Sequence, residues 1–171
     1  MNSFRSKLSA PADYATCSDF RESLLDNLTP LYVLAFVLTG NHADAEQCFV
    51  ATVKDTVITD GVFKGWEHSW SKRCLIINTI RHVFREPGKS TGKQQQIRGE
   101  VEIPSPATIN AVAALASPIQ RFVFVISVLE GYSEHECAIL LGRTSRDVRE
   151  ARIHALWQLS GVTPPLSRAA G

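Results

Sequence analysis

Apolar residues recur at intervals of three and four through most of the chain, which is the spacing of one buried face of an α-helix. In the first sixty residues this pattern predicts three helices. The first begins at Phe20, the second begins at Thr29-Pro30 and ends at Gly40, and Asn41 caps the third. The buried faces are predicted to contain Leu24, Leu25, Leu28, Leu31, Leu34, Ala35, Leu38, Ala45, Cys48, Phe49, Val53 and Val57.

The pattern predicts three more helices after residue 115. One begins at Ser117-Pro118 and ends at Gly131. The next begins with a capping box of Ser133 and Glu136, and Gly142 ends it. Thr144 or Ser145 caps the last one. The predicted buried residues of the three are Phe122, Val125, Ile126, Leu129, Cys137, Leu140, Leu141, Val148, Ala151, Ala155, Leu156 and Leu159.

The last two helices are short, joined by a glycine-containing turn, and the second has an arginine-rich outer face. That layout is typical of a helix-turn-helix whose second helix enters the DNA major groove. Arginines can bind phosphates or guanine edges there, and acidic residues can accept from cytosine amino groups. An ordinary helical hairpin with solvated charges is the alternative. The candidate DNA contacts are Arg143, Thr144, Ser145, Arg146, Asp147, Arg149, Glu150 and Arg152.

Two segments resemble the extracytoplasmic-function sigma factors of the sigma-70 family. The segment LASPIQRFVFVISVLEGYSEHECAILLGRTSRDVREARIHAL resembles their region 4, and LYVLAFVLTGNHADAEQ resembles their region 2. The resemblance implies a transcription initiation factor that binds core RNA polymerase and double-stranded promoter DNA. Region 4 would read the minus-thirty-five element, and region 2 would open the minus-ten element. An anti-sigma factor is a further implied partner.

The resemblance to region 2 places polymerase contacts on the third helix, at Asp44, Glu46, Gln47 and Asp55. The family's polar docking patch is replaced there by Phe49, Val50 and Ala51. This departure favours an alternative, a helix-turn-helix regulator that binds DNA without supporting initiation. A second alternative is a sigma-like module that binds an anti-sigma factor through an apolar stripe of Ile153 and Trp157.

The segment 63–85 is predicted to be a loop followed by a basic helix. Capture of an unpaired DNA strand requires aromatic rings for base stacking and cations for the phosphates. The resemblance implies that this segment opens the minus-ten element. The alternative is that Trp66 and Trp70, four residues apart, close the core of the first domain. The candidate residues are Trp66, His68, Trp70, Lys72, Arg73, Asn78, Arg81 and Arg85.

Composition supports a globular all-α protein of two small helical domains joined by a flexible linker. The chain has 171 residues, of which 44% are hydrophobic, and its net charge of +1 hides an asymmetry. Residues 1–60 carry four basic and eight acidic side chains, whereas residues 64–100 carry eight basic and three acidic ones, so the middle is expected to face a polyanion. The predicted parts are a loose N-terminus (1–19), a region 2-like domain (20–86), a linker (87–108), a region 4-like domain (109–160) and a tail (161–171).

Several classes of function are not expected. The sequence has no apolar run long enough to span a membrane, and its start lacks the apolar core of a secretory signal, which predicts a cytoplasmic protein. No nucleophile, phosphate-loop or zinc-protease motif is present, so neither catalysis nor a small-molecule substrate is predicted. No cofactor or metal is predicted either. The four cysteines are scattered and are expected to be small buried hydrophobes, and His135 with Cys137 is the one weak candidate for a metal-binding pair.

Overall fold

The computed structural model describes residues 13–85, here called the first half, and residues 107–161, the second half. Both are helical, and their one β-feature is an isolated antiparallel bridge between Tyr14 and Phe63. The predicted all-α class is therefore confirmed. The helices are α1 (Cys17–Asp26), α2 (Leu28–Thr39), α3 (His42–Val57), α4 (Glu67–Arg85), α5 (Ala107–Ala113), α6 (Pro118–Phe124), a π-helical turn (Val125–Leu129), α7 (Glu134–Leu141) and α8 (Ser145–Ser160).

Local side-chain chemistry sets most of the helix ends. Asn41 accepts a hydrogen bond from the N–H of Asp44 at the start of α3. Ser133 with Glu136 and Thr144 with Asp147 form capping boxes at the starts of α7 and α8. Gly40 and Gly142 end α2 and α7 in the left-handed conformation, which glycine adopts without steric cost. These ends are as predicted, with Thr144 rather than Ser145 as the cap.

Two predicted helix starts, those of α1 and α2, and one predicted capping hydrogen bond were wrong. Helix α2 begins at Leu28, so Thr29-Pro30 lies within its first turn, where the N–H groups have no partner inside the helix and proline is tolerated. Ser117 precedes α6 but its side chain makes no capping hydrogen bond. Residues 17–19, predicted to be loose, form the first turn of α1 because Thr16 and Asp19 form a capping box before it.

Several apolar residues predicted to be buried are exposed. Leu25, Leu28, Val57, Leu129 and Leu156 keep between 39% and 62% of their surface. For Leu129 the reason is the π-helical turn, in which the N–H of Glu130 donates to the carbonyl of Val125 at 3.0 Å. The wider turn shifts the helical phase after Val125 and Ile126, which remain fully buried.

Helix α3 buries two threonines, whereas the apolar pattern predicted Val53 and Val57 on its buried face. Thr52 and Thr56 are fully buried, while Val57 is 39% exposed. Their hydroxyls donate to the carbonyls of Cys48 and Thr52, at 2.8 and 2.9 Å, so burial leaves neither hydroxyl unsatisfied. The buried face of α3 therefore follows Ala45, Cys48, Thr52 and Thr56.

The two described halves share one continuous hydrophobic core. Leu38 of α2 belongs to the same buried cluster as Val112 of α5 and Phe122 of α6. The ring of Phe84, on α4, lies 5.2 Å from that of Phe122 between centroids. None of the helices in these two halves is long and apolar enough to cross a membrane. The predicted linker and tail lie almost entirely outside the described residues.

Candidate nucleic-acid interface

Helices α7 and α8 form the unit predicted to contact duplex DNA. They are joined by the turn at Gly142 and Arg143, and Val148 and Ala151 of α8 are buried. Arg143, Arg146 and Arg149 are exposed at the N-terminal end of α8. The structure therefore places the predicted cations on one accessible end of a helix whose opposite face is anchored in the core.

The acidic residues of this surface have local partners. The Thr144 hydroxyl accepts from the N–H of Asp147, and the Asp147 carboxylate accepts from the N–H of Thr144, both at 3.1 Å. The Thr144 hydrogen bonds hold the pKa of Asp147 below its ordinary value. Asp147 thus caps the helix, and Ser145 lies half-buried in its first turn. The capping role of Asp147 was not predicted from the charge pattern.

The arginines of α8 form ion pairs with nearby glutamates. Arg146 pairs with Glu150 at 2.9 Å along the helix. Arg149 and Arg152 both reach Glu134 at the start of α7, at 2.9 and 3.7 Å. Glu134 was not predicted to belong to this site, although it lies only 15 residues before Arg149. Because most of these groups are solvent-exposed, each pair is worth roughly 0–1 kcal/mol and is readily exchanged for a phosphate.

A second candidate surface lies at the start of α4. Trp66 is 65% exposed and packs edge-on against Phe63, with the ring centroids 6.2 Å apart. Phe63 stacks on Tyr14 at 5.1 Å. We call these three rings the aromatic edge. Trp66 therefore does not close the core, whereas Trp70, at 36% exposed, is partly covered. Tyr14 and Phe63 were missed as members of this surface, and Tyr14 is distant in sequence.

The cations of α4 do not form one continuous patch. Lys72 pairs with Glu130 of the second half at 2.8 Å. Arg73 and Arg81 are exposed, and His68 is half-buried. Arg85 ends α4, but its side chain lies outside the described residues.

Asn78 lies between α3 and α4, facing away from solvent. It is 9% exposed, and its amide donates to Oδ2 of Asp55 at 2.9 Å and to the hydroxyl of Thr52 at 3.3 Å. This placement corrects the prediction that Asn78 contacts a base, because the amide is committed to two partners inside the first half. The positions of Trp70 and Asn78 in the sequence gave no indication of those partners.

The predicted polymerase contacts on α3 divide into two pairs. Asp44 lies 2.9 Å from Nε2 of His82, and Asp55 accepts from Asn78, so both carboxylates fasten α3 to α4. Glu46 and Gln47 are exposed on the outer face of α3. Val50, next to them, is 50% exposed, so an apolar side chain stands within the predicted docking face.

The cysteines and histidines do not form a metal centre in residues 13–85 and 107–161. No group of three or more His, Cys, Asp or Glu side chains is placed there to hold a metal ion. Burial raises the pKa of the Cys48 thiol to about 12 and also raises that of Cys137. His135 is exposed whereas Cys137 is fully buried, so this pair does not share one accessible site.

Comparison with known proteins gives a structural similarity only. No protein-family model matches this sequence, and no curated protein sequence is significantly similar to it. Among solved structures, the chain is similar to the sigma factor RpoE from Bartonella quintana, solved in complex with the anti-sigma factor NepR. The two chains are 18% identical, the match covers 84% of this chain and 96% of that one, and the TM-score is 0.44.

Proposed function

We propose that this protein is a sigma-70-type transcription initiation factor of the extracytoplasmic-function kind, which binds core RNA polymerase and directs it to promoter DNA. One observation carries the proposal. A single chain combines an exposed cationic end of a capped helix, suited to duplex DNA, with an exposed aromatic edge, suited to an unpaired strand. No catalytic role is proposed, since the chemistry of RNA synthesis would belong to the polymerase.

Duplex recognition is assigned to the N-terminal end of α8. Recognition helices contact base edges with their first residues, and Arg143, Arg146 and Arg149 occupy that end here. In the free protein Arg146 pairs with Glu150 and Arg149 pairs with Glu134. In the complex, phosphates would take over part of this pairing, and release of DNA counterions would make the affinity depend steeply on salt.

Capture of the unpaired minus-ten strand is assigned to the aromatic edge. Base stacking on an aromatic side chain is worth about 1–3 kcal/mol per base. Trp66 is 65% exposed, Phe63 packs edge-on against it, and Tyr14 stacks on Phe63. Arg73 and Arg81 are exposed on α4, the helix that follows Trp66, and would contact the phosphate backbone of the strand.

Polymerase binding is assigned to the exposed part of α3, which contains Glu46, Gln47 and Val50. The test is a pull-down of bacterial core RNA polymerase with the purified chain, followed by run-off transcription on genomic fragments. We expect a stable complex and discrete transcripts. Glu46→Lys should weaken capture, whereas Glu22→Lys, the same substitution at an exposed position on α1, should not.

A second candidate function is a DNA-binding regulator that does not support initiation. It is favoured by α3, where Asp44 and Asp55 are engaged with α4 and the exposed position 50 is valine. If the chain binds duplex DNA but does not retain core polymerase, it is a regulator rather than an initiation factor.

An anti-sigma factor is a further proposed partner. Ile153 and Leu156 are 37% and 46% exposed on α8, and Trp157 beside them is half-buried. Such an apolar strip fits a protein surface better than it fits a phosphate backbone. Capture by this strip would be insensitive to salt, which distinguishes it from DNA binding.

A further inference from the structure

Residues 13–15 pair with the loop that precedes α4. The N–H of Ala15 donates to the carbonyl of Val62, and the N–H of Lys64 donates to that of Asp13, both at 2.8 Å. The two segments therefore form a short antiparallel ladder, although they are far apart in the sequence. We call residues 13–15 the strap.

The ladder brings two aromatic rings together on its outer side. Tyr14 and Phe63 lie opposite each other, flanked by the two hydrogen bonds, and such non-hydrogen-bonded pairs have the closer side chains. Their rings stack with centroids 5.1 Å apart. Neighbouring residues of an extended segment face opposite sides. Accordingly, Val62 is buried whereas Phe63 is exposed.

The position of Trp66 depends on that of Phe63. The N–H of Trp66 donates to the carbonyl of Phe63 at 3.1 Å, which closes a tight turn between them. Inside this turn the N–H of Gly65 donates to Oε1 of Glu67 at 2.8 Å. Contacts thus run without a break from Tyr14 through Phe63 to the exposed ring of Trp66.

The loop's own sequence does not hold it in this conformation. Gly61 and Gly65 have φ angles of +83° and +90°, and nothing lies within 4 Å of the Cβ position of either residue. Glycine adopts many backbone conformations at similar cost, so the loop needs restraint from outside. The ion pair between Lys64 and Asp19, at 3.6 Å, is largely exposed and contributes little. The strap supplies the hydrogen bonds and the stacked ring.

We propose that the strap is a positioning device for the aromatic edge. Tyr14 holds the loop through Phe63, and Trp66 is then presented to an unpaired base in a fixed place. Tyr14 is therefore a positioning residue, not itself a surface on which a base stacks. Because the loop is ordered before DNA arrives, binding does not have to include the entropic cost of ordering it. The inference rests on the proposed function and deepens it.

The first measurement is hydrogen–deuterium exchange of the full chain without DNA, followed in the peptides that cover residues 58–66. Tyr14→Ala removes the stacked ring, and Ala15→Pro removes one donor of the ladder without altering any ring. Both should speed exchange in the loop and leave the helices unchanged. Leu25→Ala, at a 62% exposed position on α1, is the control for loss of an exposed apolar side chain. Loop exchange in Tyr14→Ala that matches this control would overturn the proposal.

The second measurement is fluorescence anisotropy with a short labelled oligothymidine. Tyr14→Ala should bind about tenfold more weakly than wild type, as expected when one-tenth of the molecules keep the edge in place. Tyr14→Phe retains the stacked ring and should bind as wild type does. In a Trp66→Ala background, Tyr14→Ala should have almost no further effect, because the ring that it positions is absent. Losses that add in the double variant would show that Tyr14 contacts DNA by itself, and would overturn the positioning role.

Failure of this inference differs from failure of the proposed function. If the wild type binds the oligothymidine and Tyr14→Ala binds it equally well, the positioning role is overturned while strand capture stands. If no form binds the oligothymidine, strand capture fails, and the exchange measurement still decides whether the strap orders the loop.

Discussion

Nδ2 of Asn78 donates a hydrogen bond to Oδ2 of Asp55 at 2.9 Å, across the interface between α4 and α3. The two residues were predicted for different partners, one for DNA and the other for polymerase. Instead they bind each other, and Asp44 with His82 repeats the arrangement further along the same pair of helices. These polar residues therefore link α3 to α4, which leaves Glu46, Gln47, Arg73, Arg81 and the aromatic edge as exposed candidates of the first half.

Asn78→Ala is expected to destabilise the protein. The substitution leaves the partly buried Asp55 carboxylate without its donor, and such a loss costs about 1–3 kcal/mol. Urea unfolding followed by circular dichroism would measure it. Asn110→Ala, at an exposed helical position on α5, is the matched control and should change the free energy of unfolding by less than about 0.5 kcal/mol. Equal effects of the two substitutions would show that Asn78 has no interhelical role.

Arg149→Ala is expected to weaken specific duplex binding by about 1–3 kcal/mol if the guanidinium reads a base. Its ion pair with Glu134 is 61% exposed on the arginine side, so the folded structure should hardly change. The protein would be titrated into a promoter fragment that supports run-off transcription, at two salt concentrations. This experiment measures the affinity and its dependence on salt. Arg21→Ala, an exposed arginine on α1, controls for charge alone. An isotherm that matches this control would remove Arg149 from the interface.

Local rules predicted much of this fold because its helix ends depend on adjacent residues. Asn41, Ser133 and Thr144 cap helices through hydrogen bonds that span three residues, and the left-handed turns at Gly40 and Gly142 need only glycine. Each of these interactions is complete within a few positions of the sequence, so no tertiary information was required to expect it.

Contacts between distant residues were beyond the same rules. The guanidinium of Arg121 donates to the carbonyl of Leu38, 83 residues away. The two residues belong to separate sequence motifs, and no local pattern predicted that they meet. The burial of Thr52 in place of a valine likewise depends on which side of α3 meets α4. The candidate site shows the same division. The arginines of α8 were expected on its outer face, but their partner Glu134 and the ring of Tyr14 behind Phe63 were not.

Trp66→Ala is expected to weaken binding of single-stranded DNA by about 1–3 kcal/mol, because one stacking surface is lost. Trp66→Phe retains an aromatic face and should recover most of that affinity. Since Trp66 is 65% exposed, neither change should alter the thermal midpoint by more than a few degrees. Anisotropy with a short labelled oligonucleotide would measure both variants. If alanine and phenylalanine bind equally well, Trp66 does not stack on a base.

The capping box of α7 predicts a pH dependence of stability. Hydrogen bonds from the hydroxyl and N–H of Ser133 hold the pKa of Glu136 below its ordinary value of 4.5. A carboxyl whose pKa is lowered by folding stabilises the folded state above its unfolded pKa, and loses that contribution as the pH falls through the folded pKa. Ser133→Ala should therefore be less stable than wild type at pH 7.

The difference in the urea midpoint between Ser133→Ala and wild type should then narrow steadily as the pH falls below about 4.5, where Glu136 begins to be protonated in the unfolded chain. Ser69→Ala, at an exposed position within α4, should show no such convergence. A difference between Ser133→Ala and wild type that stays constant from pH 7 to pH 3 would mean that the ionised Glu136 carboxylate adds nothing to the cap. In that case the Ser133 hydroxyl alone, through its bond from the N–H of Glu136, would hold the start of α7.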